Sequence, residues 1–148
     1  MQKNLLIMSE MPQYFINLAD KNFNTHKLWL QNDEDKFISE IQEKVDAIAV
    51  MGGYKITPEL MKSMTNLKII ACYGVGYDAI DIAYAKSLGI KVTNTPEVLN
   101  DEVADTAIAL MLCVYRQILE ADKFARNNSW VNGEFPLTKK FSGSKLGI

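Results

Sequence analysis

Residues 69–81 read IIACYGVGYDAID: an uncharged apolar run that ends in Gly74-Val75-Gly76, with Ala79 three residues after Gly76. An unbroken apolar run of this length, closed by glycines, reads as a strand buried on both faces. The ending spells G-x-G-x-x-A, a permitted form of the dinucleotide-binding fingerprint. Three readings of it are open. The glycines could cradle a pyrophosphate at a helix N-terminus, make a tight turn and nothing more, or form a nest of backbone N–H groups for one small anion such as a carboxylate. Asp78 and Asp81 stand where the following helix begins. Carboxylates there repel a doubly charged pyrophosphate and cap the helix amides themselves. Glu97, about 20 residues on, is where a ribose-binding acid would belong, but it follows Pro96 instead of ending a strand.

Outward from this stretch, the chain alternates between short apolar runs and helical patterns. Leu5 to Met8, Asp46 to Met51, Leu67 to Cys72 and Ile90 to Thr93 read as strands, with Asn24 to Leu30 a weaker candidate. Between them lie helical segments: Tyr14 to Ala19 after Pro12; Asp33 to Lys44, capped by Asp33, with Phe37, Ile38, Ile41 and Val45 on one face; a short helix opened by Thr57-Pro58 with Leu60, Met61 and Met64 inward; and Asp81 to Ser87, stopped by Gly89. Apolar strands alternating with helices define an α/β domain, a flavodoxin-like parallel sheet with helices on both faces, through about residue 99. The loops after parallel strands gather on one rim, where such folds bind ligands. Gly52-Gly53 and Gly74-Val75-Gly76 end neighbouring strands and belong side by side there.

Asn100 to Asn127 contains no glycine or proline, so one long C-terminal helix is expected over it, with Asp101, Glu102 and Asp105 in the favourable first turn. The acid cluster reads as helix-start charge rather than as a metal site. The middle, TAIALMLCVY, carries no charge on any face. A helix on a globule's surface shows a polar side, so this one requires cover from a second lobe or a second subunit. After it comes the polar stretch NNSWVNGEFPLTKKFSGS, in which Lys139-Lys140 is a solvated pair; Lys145 to Ile148 then looks like the start of a strand, which makes Ile148 a truncation point.

The 148 residues suffice for one domain with a real core. A net charge of −2 and the lack of a long basic run give no support to nucleic-acid binding. No uncharged run approaches a membrane span, and the N-terminus has too short an apolar stretch for a signal peptide. Cys72 and Cys113 sit singly in apolar segments, as buried reduced thiols of a cytoplasmic protein do. Met8, Met51, Met61, Met64 and Met111 read as core filler. The one histidine, His26, matches no catalytic motif.

The runs GVGYDAID, GIKVTNTPEVLNDEVADTAIALML and, after Trp130, FPLTKKFSGSKLGI occur in that order and together resemble the D-isomer-specific 2-hydroxyacid dehydrogenases. The nearest branch is that of glyoxylate/hydroxypyruvate and hydroxyphenylpyruvate reductases. The likeness is dense from about residue 67 to 148 and general before it. It implies a flavodoxin-like substrate-binding lobe over 1–99, an interdomain and dimerisation helix over 100–127, and over 128–148 a loop and the first strand of an NAD(P)-binding Rossmann lobe. It implies that the true G-x-G-x-x-G follows the KLGI strand, so that GVGYDA is a lookalike. It further implies that the amides of Val75 and Gly76 bind the substrate carboxylate while Gly74 shapes the turn, that Gly52 and Gly53 line the same pocket, and that Leu99 lies near the substrate side chain. Val103 would approach the nicotinamide of NAD or NADP, and Trp130 and Phe135 would pack near a homodimer interface. The family's catalytic Arg, Glu and His belong to the Rossmann lobe, so no catalytic residue is expected in this chain. The partner is a small 2-oxo or 2-hydroxy acid. The alternative is a non-catalytic, carboxylate-binding regulatory module. Met51-Gly52-Gly53 stands where a phospho-receiver would carry its aspartate, which argues against that reading.

Overall fold

The computed structural model describes residues 2–147. They fall into two units, Met1–Val98 and Leu99–Ile148.

The first unit is built on five parallel strands: β1 (Asn4–Ile7), β2 (Asn24–Lys27), β3 (Ala47–Met51), β4 (Ile69–Tyr73) and β5 (Lys91–Thr93), in the order β2-β1-β3-β4-β5. That order is the flavodoxin-like one, with its switch point between β1 and β3. The helices are α1 (Gln13–Asn22), α2 (Glu34–Ile41), α3 (Pro58–Ser63) and α4 (Ile82–Ser87). The capping residues read from the sequence hold three of them. Asp33 accepts from the Lys36 amide, Thr57 from Leu60 and Asp81 from Tyr84, and Gly89 takes the left-handed φ of 73° that ends α4. The weak strand over 24–30 is half right. Asn24–Lys27 pairs with β1, but Leu28–Leu30 tightens into a 3-10 turn that buries Leu28.

The two faces of the sheet are covered unequally. Leu6, Ile48, Val50, Ile70 and Cys72 point to one side and pack under α2, α3 and α4, with Val45, Met61, Met64 and Ala85 completing the core. Leu5, Ile7 and Ala49 point to the other side and meet α1 through Ile16 and Ala19. Helices do lie on both faces, but one face has a single helix. Beyond its reach, Ile69 is half-buried and Ala71 exposed.

The second unit departs from expectation. The single helix over 100–127 is two, α5 (Asn100–Arg116) and α6 (Ile118–Arg126), parted by Gln117 in the left-handed conformation at φ 48°, ψ 46°. The Gln117 amide bonds back to Cys113 and Val114, closing α5 as a left-handed cap does, and the Gln117 carbonyl accepts from Ala121 to start α6. Gly is the usual residue there, and its absence hid the break. Arg116 Nε donates to Thr138 Oγ1 at 2.9 Å, and Phe124 stacks edge-on with Phe135, so the following segment is folded back along the helix pair. Lys145 to Gly147 form no strand, because a strand exists only by pairing and nothing in this unit pairs with them; Ile148 lies outside the described residues. No residue of α5 or α6 is buried within the chain. Met111 and Cys113 are only half-buried, unlike the core residues Met8, Met61, Met64 and Cys72. Among the described residues no helix is long and apolar enough to cross a membrane.

His26 lies on the edge strand β2, its Nε2 3.2 Å from Asn4 Oδ1 at the amino end of β1. Burial, helped by Lys44, holds its imidazole pKa below the usual value. The unfolded chain therefore binds more protons than the folded one as pH falls below about 6.5, and folding stability falls with it. Thermal melts across this range should show a midpoint that drops on acidification, with a shallower drop in His26→Gln.

Candidate functional site

The carboxyl ends of β1, β3, β4 and β5 form the rim on which this topology places ligands. Strands β3 and β4 both run out there into glycines. The Gly52 amide donates to the Tyr73 carbonyl at 3.0 Å, continuing the ladder one residue past β3. The two loops then touch backbone to backbone. A Cβ on Gly74 would stand 2.9 Å from Gly52 Cα and 3.2 Å from Gly52 N. Any side chain at 74 would drive the loops apart. Gly53 serves differently: its φ of 86° turns the chain away after β3. Gly76 is needed for neither reason, since a Cβ there would meet only Asp78 Oδ2 at 3.6 Å.

Each carbonyl of the glycine loop is tied down. Gly74 O accepts from the Thr95 amide at 2.9 Å. Val75 O accepts from Asn94 Nδ2 at 2.8 Å, and Gly76 O from the Cys72 thiol at 3.4 Å. The amides of Val75 and Gly76 donate to no acceptor among the described residues, and both residues are exposed. A loop with its acceptors used and its donors free is a site for an anion. Burial of Cys72 pushes its thiol pKa up, so the thiol keeps the proton it donates.

The nucleotide reading of this loop fails on geometry. Asp78 and Ala79 form a turn, Ile80 bridges to Ile56, and α4 starts only at Ile82. The Tyr84 amide in its first turn already donates to the Asp81 carboxylate. Asp78, beside Gly76, adds a second negative charge that opposes a pyrophosphate more than a single carboxylate. Glu97 is exposed in a left-handed conformation at φ 66°, not at a strand end.

The structure brings Gly52, Gly53, Gly74, Val75 and Gly76 to one rim, as the sequence indicated. Leu99 and Val103 belong to the second unit. There they line one wall of a hollow of about 410 Å³ with Glu102, Thr106, Ala107 and Leu110. A larger hollow of about 600 Å³ runs beside β5 and α4 and includes Tyr77 and Asn94 but none of the glycine amides; chemistry favours the loop over volume. His26 bonds at the opposite end of β1 and takes no part in the rim. Sequence reasoning missed the tethers. Asn94-Thr95-Pro96 signalled a turn, but nothing in its spacing said which loop it would hold. It also missed Tyr14 and Tyr73, whose hydroxyls lie 2.7 Å apart at the end of β4; that bond, with lesser effects of burial and charge, raises the Tyr14 pKa. Among the described residues no cluster of His, Cys, Asp and Glu is placed to hold a metal.

The fold therefore sets unpaired loop amides on the carboxyl rim of a flavodoxin-like sheet. Residues 5–142 match the model of the D-isomer specific 2-hydroxyacid dehydrogenase catalytic domain. The chain belongs to that family. It is 36% identical over 144 residues to glyoxylate/hydroxypyruvate reductase A of Arabidopsis thaliana, and 38% identical over 144 residues to hydroxyphenylpyruvate reductase of Plectranthus scutellarioides. Each alignment takes in 97% of this chain and 46% of the relative, so the chain spans about half the length of these proteins. The crystal structure of NADPH-dependent glyoxylate/hydroxypyruvate reductase from Sinorhizobium meliloti, in complex with NADP and malonate, superposes with a TM-score of 0.76 at 33% identity, over 97% of this chain and 44% of that one.

The contact between the two loops gives a direct test. Gly74→Ala, forced against the Gly52 backbone, should cost about 1–3 kcal/mol of folding stability in denaturant melts. Gly76→Ala, which meets only a movable side-chain tip, should cost much less.

Proposed function

We propose that this chain is the substrate-binding part of an oxidoreductase that reduces a small 2-oxo acid to the D-2-hydroxy acid with NADH or NADPH. The observation that carries the reading is the pair of free amides at Val75 and Gly76, set in a loop whose carbonyls are all engaged. Charge-assisted N–H···O bonds from two fixed amides suit one carboxylate. Malonate in the Sinorhizobium relative carries the same group.

Binding fixes the substrate by its carboxylate and leaves the adjacent carbonyl free to be presented to a donor. Gly52 and Gly53, exposed beside the cradle, offer backbone without bulk. In the second unit, Val103 is 65% exposed at the first turn of α5, and an uncharged branched side chain there suits the face of a nicotinamide ring. The nicotinamide, when bound, supplies the hydride. Reduction also needs a proton donor at the carbonyl oxygen and a cation to polarise it. On this reading both come from the Rossmann lobe that the family resemblance implies.

The same reading assigns residues 1–99 to the substrate lobe and 100–127 to the interdomain and dimer segment. Val114, 75% exposed, and Leu110, 62% exposed, lie on a helix none of whose described residues is fully buried. Apolar surface of that kind marks an interface, and a homodimer through α5 and α6 would cover it. Two free thiols suit a reducing, cytoplasmic setting.

The complete polypeptide that carries this chain should oxidise NADH or NADPH in the presence of glyoxylate or hydroxypyruvate, followed by the loss of reduced-nicotinamide absorbance. Residues 1–148 alone should show no turnover. Turnover by the verified 148-residue chain would overturn the division of labour. A complete polypeptide that binds oxalate but reduces no 2-oxo acid would favour a regulatory module.

A further inference from the structure

Resting on the carboxylate-cradle reading, we propose that Asn94 is a positioning residue of this site: its side chain holds the Val75 carbonyl and thereby aims the Gly76 N–H at the bound carboxylate.

The argument starts from the peptide unit. A trans peptide is planar, so the C=O of one residue and the N–H of the next point in opposite directions. Fixing a carbonyl therefore fixes the following amide. Thr95 N–H on Gly74 O orients the Val75 amide, and Asn94 Nδ2 on Val75 O at 2.8 Å orients the Gly76 amide. The thiol of Cys72 on Gly76 O at 3.4 Å does the same for Tyr77, through a weak donor. The two amides assigned to the substrate are thus aimed by the two residues that follow β5.

Asn94 is the tether on which the geometry turns. Gly76 has no Cβ and tolerates φ of either sign, so the Val75–Gly76 peptide is free to rotate as a unit unless something grips it. A rotated peptide would present the Val75 carbonyl where the Gly76 N–H belongs, an acceptor facing a carboxylate. The Asn94 bond removes that state. Its anchor is firm: Thr93 pairs with Ala71 in the sheet, and Thr95 is bonded to Gly74 on the other side. A bond of this kind acts on the direction of a donor rather than on the packing of the core.

The test is made on the complete polypeptide, with oxalate as the carboxylate probe and glyoxylate as substrate. Asn94→Ala should raise the KM for glyoxylate and the inhibition constant of oxalate at least about tenfold, the worth of one charge-assisted bond. KM should move far more than kcat, and the KM for the nicotinamide cofactor should stay where it was. Asn94→Asp should be worse than Asn94→Ala, because it removes the donor and adds a charge. Asn94→Ser, whose hydroxyl is a donor, should recover part of the loss. Unchanged glyoxylate and oxalate constants in folded Asn94→Ala would overturn the proposal, as would a parallel loss of cofactor affinity and melting temperature, the signature of a structural role. Should Asn94→Ala fail to fold, Asn94→Ser against Asn94→Asp carries the same comparison. A wild-type protein that neither reduces glyoxylate nor binds oxalate would remove the cradle reading itself; an active wild type with silent Asn94 variants would remove only the role of Asn94.

Discussion

Two backbones pressed together set the terms for the rim. Gly52 and Gly74 approach so closely that a Cβ on Gly74 would lie 2.9 Å from Gly52 Cα. This contact seats the loop after β4 against the loop after β3. With the loop seated, its carbonyls meet Cys72 on β4 and Asn94 and Thr95 just past the end of β5. With the carbonyls spent, only amides remain to face a ligand. The exposed donors are thus a remainder, produced by packing and hydrogen-bond accounting rather than by any charged side chain.

The same loop shows how a sequence motif and a physical site can diverge. G-x-G-x-x-A serves nucleotides when a helix begins within it and offers its amides to a pyrophosphate. Here α4 begins six residues after Gly76 and has Asp81 on its N-terminus. What is left of the motif is its strand, its close-packed glycines and its exposed amides, enough for one carboxylate. Asp78 beside the loop adds a negative charge that opposes a doubly charged pyrophosphate.

Much of the first unit was legible because its signals were local. Asp33, Thr57 and Asp81 cap the helices they were read as capping, Gly89 ends α4, and the apolar runs became the central strands. The pairing of the Gly52 and Gly74 loops followed from strand adjacency. What stayed hidden was either non-local or unusual in residue type. The bond from Asn94 to Val75 spans 19 positions and leaves no periodic trace. Gln117 in a left-handed conformation breaks a run that lacks any helix breaker, since a non-glycine residue there costs about 1–2 kcal/mol and is not expected. The polar stretch after Asn127 folds back through single contacts, Arg116 to Thr138 and Phe124 to Phe135, that no pattern announces.

The sheet's lopsided cover has a dynamic consequence. On one side three helices share the load, whereas on the other the ten residues of α1 stand alone over Leu5, Ile7 and Ala49. Local opening follows the weakest cooperative piece. Detachment of α1 as one body would wet the underside of β1 and β3 together while leaving the opposite core intact. Amide protons on those two strands would then exchange on the timescale of a single helix lifting off, well before the remainder of the unit gives way, and the rim that begins where β3 ends would share in that breathing.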